Sequence, residues 1–318
     1  MLPILEENLN SSSTDEHKIP KNLSADVQEN LLHKELPEIL EILLLDRTIS
    51  TAKKPKNIIW ANDNYYSQFR HNAYAPDAQI SIHLITGQNG NLIMPRSLKP
   101  FETQKERTKS KAEVFTPIWV VKEQNDAINK NFKKDDLETY IKRKWLEIAC
   151  GEAPYMTTRY DMETGKIIPL RSRVGFVDRK LSRINKDIQD KTEWQRLVEL
   201  AYKASYGFEW NGDSLLLARE NLLYTYRDYY FAKWKEEPTL SFFKKIAEII
   251  SYNVFQMDGL TCTIPLSQKK EKIQIPQMPL FDISEKSTHP KANLGKRVKI
   301  MNWETNKMEY FDKGVKNA

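Results

Sequence analysis

A chain of 318 residues is long enough for one large domain or two modest ones, and its 40% hydrophobic residues can form a sizeable core. The 49 basic residues exceed the 43 acidic ones, and the net charge of +6 permits a polyanionic partner without requiring one. Two cysteines and five scattered histidines exclude a disulfide framework and predict no metal site. No apolar run approaches the roughly 20 residues of a membrane span. The acidic amino terminus does not resemble a signal peptide, so we expect a cytoplasmic protein with no membrane partner.

In the first 110 residues, the sequence predicts a disordered segment followed by a helix and a small β region. Residues 1–25 are rich in serine, asparagine and charged residues, which is typical of disorder. A helix interrupted at Pro37 is expected from about Ser24 onward. The rest of region 26–110 is expected to contain strands at 57–60 and 79–85, a hairpin at Asn89-Gly90 and a charged connector at 99–111. That connector is either a solvated loop or a phosphate-contacting segment.

From residue 111 to residue 318, predicted strands alternate with predicted helices. This alternation favours an α/β fold with a mostly parallel sheet. Thr116 and Pro117 are expected to begin a helix, with Thr116 as the cap and Pro117 in the first turn. The strands are expected at 145–149, 174–177, 206–210, 249–258 and 298–303, and a long loop is expected at 266–297.

Three of the predicted strands end in polar or acidic side chains. Glu147 lies near the end of the first and Gly151 follows it, Glu209 lies near the end of another, and Asn253 and Asp258 lie towards the end of a third. Ligands of open parallel sheets bind beyond the carboxyl ends of the strands, and a glycine allows close approach of a ligand to the backbone. These residues are therefore either plain strand-to-loop exits or the edge of a nucleoside-containing cofactor site.

Four segments in a fixed order resemble the N6-adenine DNA methyltransferases of restriction-modification systems. They are Phe115-Thr-Pro117, Glu147-Ile-Ala-Cys-Gly151, Gly207-Phe-Glu209 and Leu217-Ala-Arg-Glu-Asn-Leu-Leu223. More closely, the chain resembles the roughly 300-residue proteins often labelled restriction endonuclease subunit M. The resemblance implies a class I S-adenosylmethionine-dependent methyltransferase fold, in which a Rossmann-like sheet over 111–318 carries helices on both faces and a small N-terminal extension precedes it.

The same resemblance implies which residues contact S-adenosylmethionine. Three of them would pack against the cofactor, namely Phe115, Thr116 and Pro117. Four would form the turn beside its methionine part, namely Glu147, Ala149, Cys150 and Gly151. Glu209 would accept hydrogen bonds from the ribose hydroxyls, with Asp178 as the competing ribose ligand. Asn253 or Asp258 would lie near the adenine amine.

The sequence departs from the family at the catalytic motif. No Asn/Asp/Ser-Pro-Pro-aromatic segment occurs, although that motif holds the flipped adenine of the DNA substrate in the family. Asn302 and Trp303 offer an amide and an aromatic face at the expected later strand and are the candidate catalytic residues. Two functions stay open: an active DNA adenine methyltransferase, or a catalytically inactive subunit that binds cofactor or DNA and works with a restriction or specificity partner.

Overall fold

The computed structural model describes residues 24–51, 53–111, 116–268 and 295–316. The predictions made for residues 1–23, for Phe115 and for residues 269–294 lie outside the described residues. Within the described part, the strands form one parallel sheet and one separate hairpin.

The parallel sheet has three short strands, β1 (Trp145–Glu147), β2 (Ser205–Glu209) and β3 (Val254–Gln256), in the spatial order β1-β2-β3. In the register of the sheet, Glu147 is beside Gly207 and Glu209 is beside Gln256. Helices connect each strand to the next, because parallel strands need a long crossover. The α/β class and the parallel sheet are confirmed.

Helices are the main regular elements of the described chain. Those before the sheet are α1 (Glu29–Glu35), α2 (Pro37–Leu44), α3 (Asn64–Phe69), α4 (Ile82–Ile85), α5 (Phe101–Lys111), α6 (Ile118–Asn129) and α7 (Leu137–Lys142). Those after β1 are α8 (Phe176–Asp187), α9 (Lys191–Lys203), α10 (Gly212–Trp234), α11 (Leu240–Asn253) and α12 (Phe311–Lys316). The break between α1 and α2 falls at the predicted Pro37.

The two faces of the sheet have different neighbours. On one face, Trp145 and Val254 belong to the large hydrophobic core that α8, α9, α10 and α11 share with the N-terminal helices. On the other face, Phe208 and Phe255 pack against Phe311 of α12 and against a hairpin of two antiparallel strands, β4 (Lys299–Asn302) and β5 (Lys307–Tyr310). Helices were expected on both faces, but a hairpin and one short helix cover the second face.

Several expected strands are helices. Residues 82–85 form α4, and a 3-10 turn at 87–89 replaces the hairpin expected at Asn89-Gly90. Residues 99–111, expected to be a connector, contain α5. The expected strand at 174–177 runs into the start of α8, and the first half of the expected strand at 249–258 is the end of α11, whereas its second half contains β3.

Candidate functional site

The turn after β1 is tied directly to the end of β2. The backbone N–H of Cys150 donates to the carbonyl oxygen of Phe208 at 2.8 Å. The next N–H, that of Gly151, donates to the Glu209 carboxylate at 2.9 Å. Two segments that are 58 residues apart in sequence, and that were both expected to contact a cofactor, therefore meet at the carboxyl edge of the sheet.

The backbone of this turn is sharply bent. Gly151 has a φ of +54°, and the non-glycine residues Ala149 and Ala153 also have positive φ values of 49° and 63°. Each such alanine costs roughly 1–2 kcal/mol, and strained backbone of this kind clusters at ligand sites. A Cβ atom built on Gly151 would meet no atom within 4 Å, so the turn borders open space.

Glu209 is the buried carboxylate at the centre of the site. Besides the Gly151 N–H, it accepts hydrogen bonds from the backbone N–H of Asn211 at 3.0 Å and from the Asn211 side-chain amide at 3.1 Å. Burial raises the pKa of Glu209, whereas these N–H donors lower it. A carboxylate can accept about four hydrogen bonds, so Glu209 has capacity for a ligand hydroxyl.

Glu147 closes the loop that begins at this turn. Its carboxylate accepts from the backbone N–H groups of Tyr155 at 3.1 Å and Met156 at 2.8 Å. Burial raises the pKa of Glu147 to about 8, although both N–H donors lower it. The acidic residue inside the strand therefore has the partner that its burial requires, and this partner is the loop backbone.

The nearby acidic side chain of Glu152 belongs to a different network. It accepts from the Arg96 N–H at 2.8 Å and from the Tyr160 hydroxyl. The Asn221 side chain donates to the Glu152 carbonyl oxygen at 3.0 Å. These contacts bind the turn to the N-terminal region and to α10.

The start of α6 lies against the same loop. Pro117 itself occupies the cap position of α6, so Thr116 is one residue further out than predicted. The Asn125 side chain of this helix donates to the carbonyl oxygens of Tyr155 at 3.0 Å and Val174 at 3.1 Å. The Thr116-Pro117 segment is thereby held near the candidate site, while Phe115 lies outside the described residues.

Asp178 does not end a strand, and the geometry corrects its assignment as a competing ribose ligand. It is the third residue of α8 and is fully buried. Its carboxylate accepts from the backbone N–H of Thr158 at 2.8 Å and of Gly175 at 3.2 Å. Burial raises its pKa to about 6. Asp178 caps the helix and fastens the preceding loop.

Asn253 and Asp258 lie on opposite sides of β3. Asn253 is the last residue of α11, before the strand begins, and its amide donates to three backbone carbonyls, those of Tyr202, Lys203 and Ser205. It therefore lies at the amino edge of the sheet and not near the Glu209 site. Asp258 follows the carboxyl end of β3, where it accepts from the Leu260 N–H at 2.9 Å.

The candidate catalytic residues Asn302 and Trp303 also lie at the amino edge. The Trp303 indole donates to the Asn253 side chain at 2.8 Å. The Asn302 side chain accepts from the N–H groups of Glu304 and Thr305 and thereby shapes the turn between β4 and β5. The structure does not bring these two residues together with Gly151 and Glu209, because they are tied to the opposite ends of the strands.

The N-terminal region supplies site residues that the sequence did not reveal. Asp213, in the first turn of α10, accepts from the Tyr65 hydroxyl at 2.8 Å and from the Arg107 guanidinium at 3.2 Å. Burial raises the pKa of Asp213, but the charges of Arg107 and Lys99 outweigh burial and leave it lowered. The only available signal was the basic character of the 99–111 segment, which was assigned to a connector.

A polar cavity opens beside this network. Its volume is about 520 Å³, and Tyr65 and Arg107 are among its lining residues. Asn62, which precedes the lining residue Asp63, donates its amide to Asn211 at 3.2 Å, and Asn211 contacts Glu209. The N-terminal region is thus connected to Asn211 and, through it, to the candidate site.

No protein-family model, curated protein or solved structure was found to match this chain. None of the helices in the described ranges combines the length and apolar character that a membrane-spanning helix needs. In the same ranges, no three His, Cys, Asp or Glu side chains are grouped so that they could hold a metal ion.

Proposed function

We propose that this chain is the S-adenosylmethionine-binding component of a DNA (adenine-N6) methyltransferase of a restriction-modification system. The observation that carries the proposal is the contact between the Gly151 N–H and the Glu209 carboxylate at the carboxyl edge of a parallel sheet. A bound nucleoside at such an edge places its ribose on a carboxylate at a strand end and its tail beside a small-residue turn. Both parts are present and adjacent.

The chemistry of each part suits this cofactor. The Glu209 carboxylate can accept from a ribose hydroxyl with its remaining acceptor position, and its burial strengthens that hydrogen bond. The open space at Gly151 allows the cofactor tail to approach the backbone. DNA and adenine specificity rest on the motif resemblance alone, and Asp258 is the remaining candidate for the cofactor adenine because it follows the carboxyl end of β3.

A partner chain would supply the groups that hold the target adenine. Asn302 and Trp303 lie at the amino edge, so they do not face the cofactor turn. β1 is the outermost strand, and within the described residues no other strand pairs with its outer side. Leu146 is 43% exposed and Ile148 is 70% exposed beside it. Parallel sheets are normally buried, so an added strand at this edge would complete both the sheet and the site.

Cofactor binding is tested by thermal unfolding with and without S-adenosylmethionine or its demethylated product. A ligand at about 100 times its Kd adds about 2.7 kcal/mol to the free energy of unfolding, which raises Tm. Glu209→Gln should abolish the rise. The matched variant Glu304→Gln, which changes an exposed carboxylate in the hairpin turn, should retain it. No rise in the wild-type protein with either ligand would refute the proposal.

Methyl transfer is tested separately with labelled cofactor and adenine-containing DNA. We expect no transfer by the chain alone and transfer when a restriction or specificity partner is added. Transfer by the chain alone would show that the catalytic groups are in this chain and that the partner is dispensable.

A further inference from the structure

A basic cleft lies away from the candidate cofactor site. It runs between the loop Arg47–Thr51 and the segment Gly295–Lys299, and Tyr310 of β5 forms part of its floor. Its volume is about 610 Å³. None of its lining residues belongs to the candidate site, so any ligand of the cleft would bind separately from the cofactor.

The cleft concentrates positive charge from separate parts of the chain. Four cations line it, namely Arg47, Lys296, Arg297 and Lys299. Three exposed lysines, Lys53, Lys54 and Lys56, follow the lining residue Thr51 closely in the chain. Among the described residues, Arg297 is the only one of these seven cations that forms an ion pair, and its partner is Asp312.

Ion pairs compensate several cations elsewhere on the surface. Elsewhere, lysines such as Lys122, Lys142 and Lys244 pair with acidic side chains. The nearest acidic residue of the cleft loop, Asp46, is buried and already accepts from the N–H and the hydroxyl of Thr48. The cations of the cleft other than Arg297 are therefore available to an anionic ligand.

Two of the guanidinium groups are held in place before any ligand binds. The Arg47 Nε donates to the Ser251 hydroxyl at 2.9 Å, and its guanidinium lies 4.6 Å from the centre of the Tyr252 ring. The Arg297 guanidinium lies 4.0 Å from the centre of the Tyr310 ring. Stacked guanidinium groups lose little conformational freedom when they bind a phosphate, and their remaining N–H donors match its oxygens.

We infer that this basic cleft binds the phosphate backbone of double-stranded DNA. Several uncompensated cations along one groove fit a ligand with repeated charges better than a single small anion, because one phosphate cannot contact them all. The choice of DNA among polyanions rests on the proposed function. Contacts of this kind position the protein on the duplex and carry no sequence information. The sequence preference would then come from another surface or from a partner chain.

The test measures binding of a fluorescein-labelled 20-base-pair duplex by anisotropy over a range of salt concentrations. The double variant Lys296→Gln/Lys299→Gln should weaken binding about tenfold at low salt. It should also reduce the slope of log K against log salt by about 2, since each phosphate contact contributes roughly 0.9. The matched control is Lys133→Gln/Lys134→Gln, which removes the same charge from exposed lysines near the end of α6. The control should bind as the wild type does.

Three results would overturn the inference. The first is equal loss of affinity in the cleft variant and the control, which would reflect net charge alone. The second is displacement of the duplex by inorganic phosphate at matched ionic strength, which would indicate a single-phosphate site. The third is tighter binding to RNA or to an acidic polypeptide than to the duplex. The Tm of each variant confirms folding, and the cofactor-induced rise in Tm reports separately on the proposed function.

Discussion

At Gly151 the backbone conformation favours glycine over any other residue. Its φ of +54° is disfavoured for any residue with a Cβ atom, and the space beside it is open. Gly87 provides a natural control, because it has a φ of +67° and also has open space around its missing Cβ. The two positions share the strain of substitution but differ in location.

We predict that Gly151→Leu and Gly87→Leu destabilise the protein by similar amounts, about 1–2 kcal/mol. Only Gly151→Leu should abolish the rise in Tm that S-adenosylmethionine produces, since its side chain would enter the space taken by the cofactor. Thermal unfolding with and without cofactor measures both the loss of stability and the cofactor-induced rise in Tm. A Gly151→Leu protein that keeps the full rise would place the cofactor elsewhere.

Glu147 makes stability depend on pH. Its pKa is raised by burial to about 8 in the folded protein, whereas an exposed glutamate titrates near 4.3. The folded state therefore holds this proton more tightly than the unfolded state. The contribution of Glu147 to stability is fully present below about pH 4 and is lost as the pH rises towards 8.

We predict that Glu147→Gln removes this loss. Between pH 5 and pH 8, the free energy of unfolding of the wild type should fall relative to that of the variant by more than about 1.4 kcal/mol, the equivalent of one pKa unit. Urea denaturation at the two pH values measures both proteins. A constant difference between them would mean that Glu147 titrates normally in the folded state.

At the scale of the elements, α10 connects the N-terminal helices with the parallel sheet. Its Arg219 is fully buried and donates to the carbonyl oxygens of Val254 at 2.8 Å and of Leu45 at 2.9 Å, and it also contacts those of Leu43 and Ser251. One guanidinium thus connects the end of α2, the end of α11 and the start of β3. Burial lowers its pKa to about 10, so it stays charged at neutral pH.

We predict that Arg219→Met destabilises the protein by at least about 3 kcal/mol, because three buried carbonyl groups and the half-buried one of Leu45 lose a donor while the volume is nearly kept. Arg196→Met is a suitable control: that arginine is half exposed and pairs with Glu193, and surface pairs contribute about 0–1 kcal/mol. Chemical denaturation measures both. Equal effects of the two changes would show that the buried contacts of Arg219 contribute nothing beyond a surface ion pair.

Local sequence could predict the elements in which the hydrophobic period and the residues at the two ends indicate the same type of structure. α10 begins at Gly212 after Asn211 and contains the apolar run that was expected to be helical. β1 ends at Glu147, shortly before the turn at Gly151, and β2 ends at Glu209. The expected strand at 249–258 contains β3, but its first five residues are helical because Ile249 and Ile250 continue the helical spacing of Phe243 and Ile246. Short β-branched runs do not separate the two possibilities, and packing against α2 and α9 selects the helix.

Part of the candidate site could not be predicted, because its residues are brought together only by the tertiary fold. Asp213, Tyr65 and Arg107 belong to three different segments, and no local motif marks any of them. The contact between Gly151 and Glu209 was accessible from sequence because each follows a parallel strand. Residues that follow adjacent parallel strands meet at the same edge.

At the scale of the whole molecule, the two edges of the sheet carry different groups. The carboxyl edge holds the Gly151 turn and Glu209. The amino edge holds Asn253 and Trp303, beside a second cavity of about 520 Å³ that Asn302 and Trp303 help to line. A methyl group transferred from a cofactor at the first edge could not reach an acceptor held at the second, because the strands lie between them.

We predict that Asn302→Ala leaves cofactor binding unchanged. The Asn302 side chain bonds only to its own hairpin, through Glu304, Thr305 and Glu309. Its loss should therefore cost about 1 kcal/mol of stability, and the cofactor-induced rise in Tm should stay as large as in the wild type. In a mixture with a partner chain that restores methyl transfer, the transfer rate should also be unchanged. A loss of methyl transfer with the rise in Tm retained would instead assign Asn302 to the acceptor side of the reaction, and the hairpin would then have to move to the carboxyl edge in the active assembly.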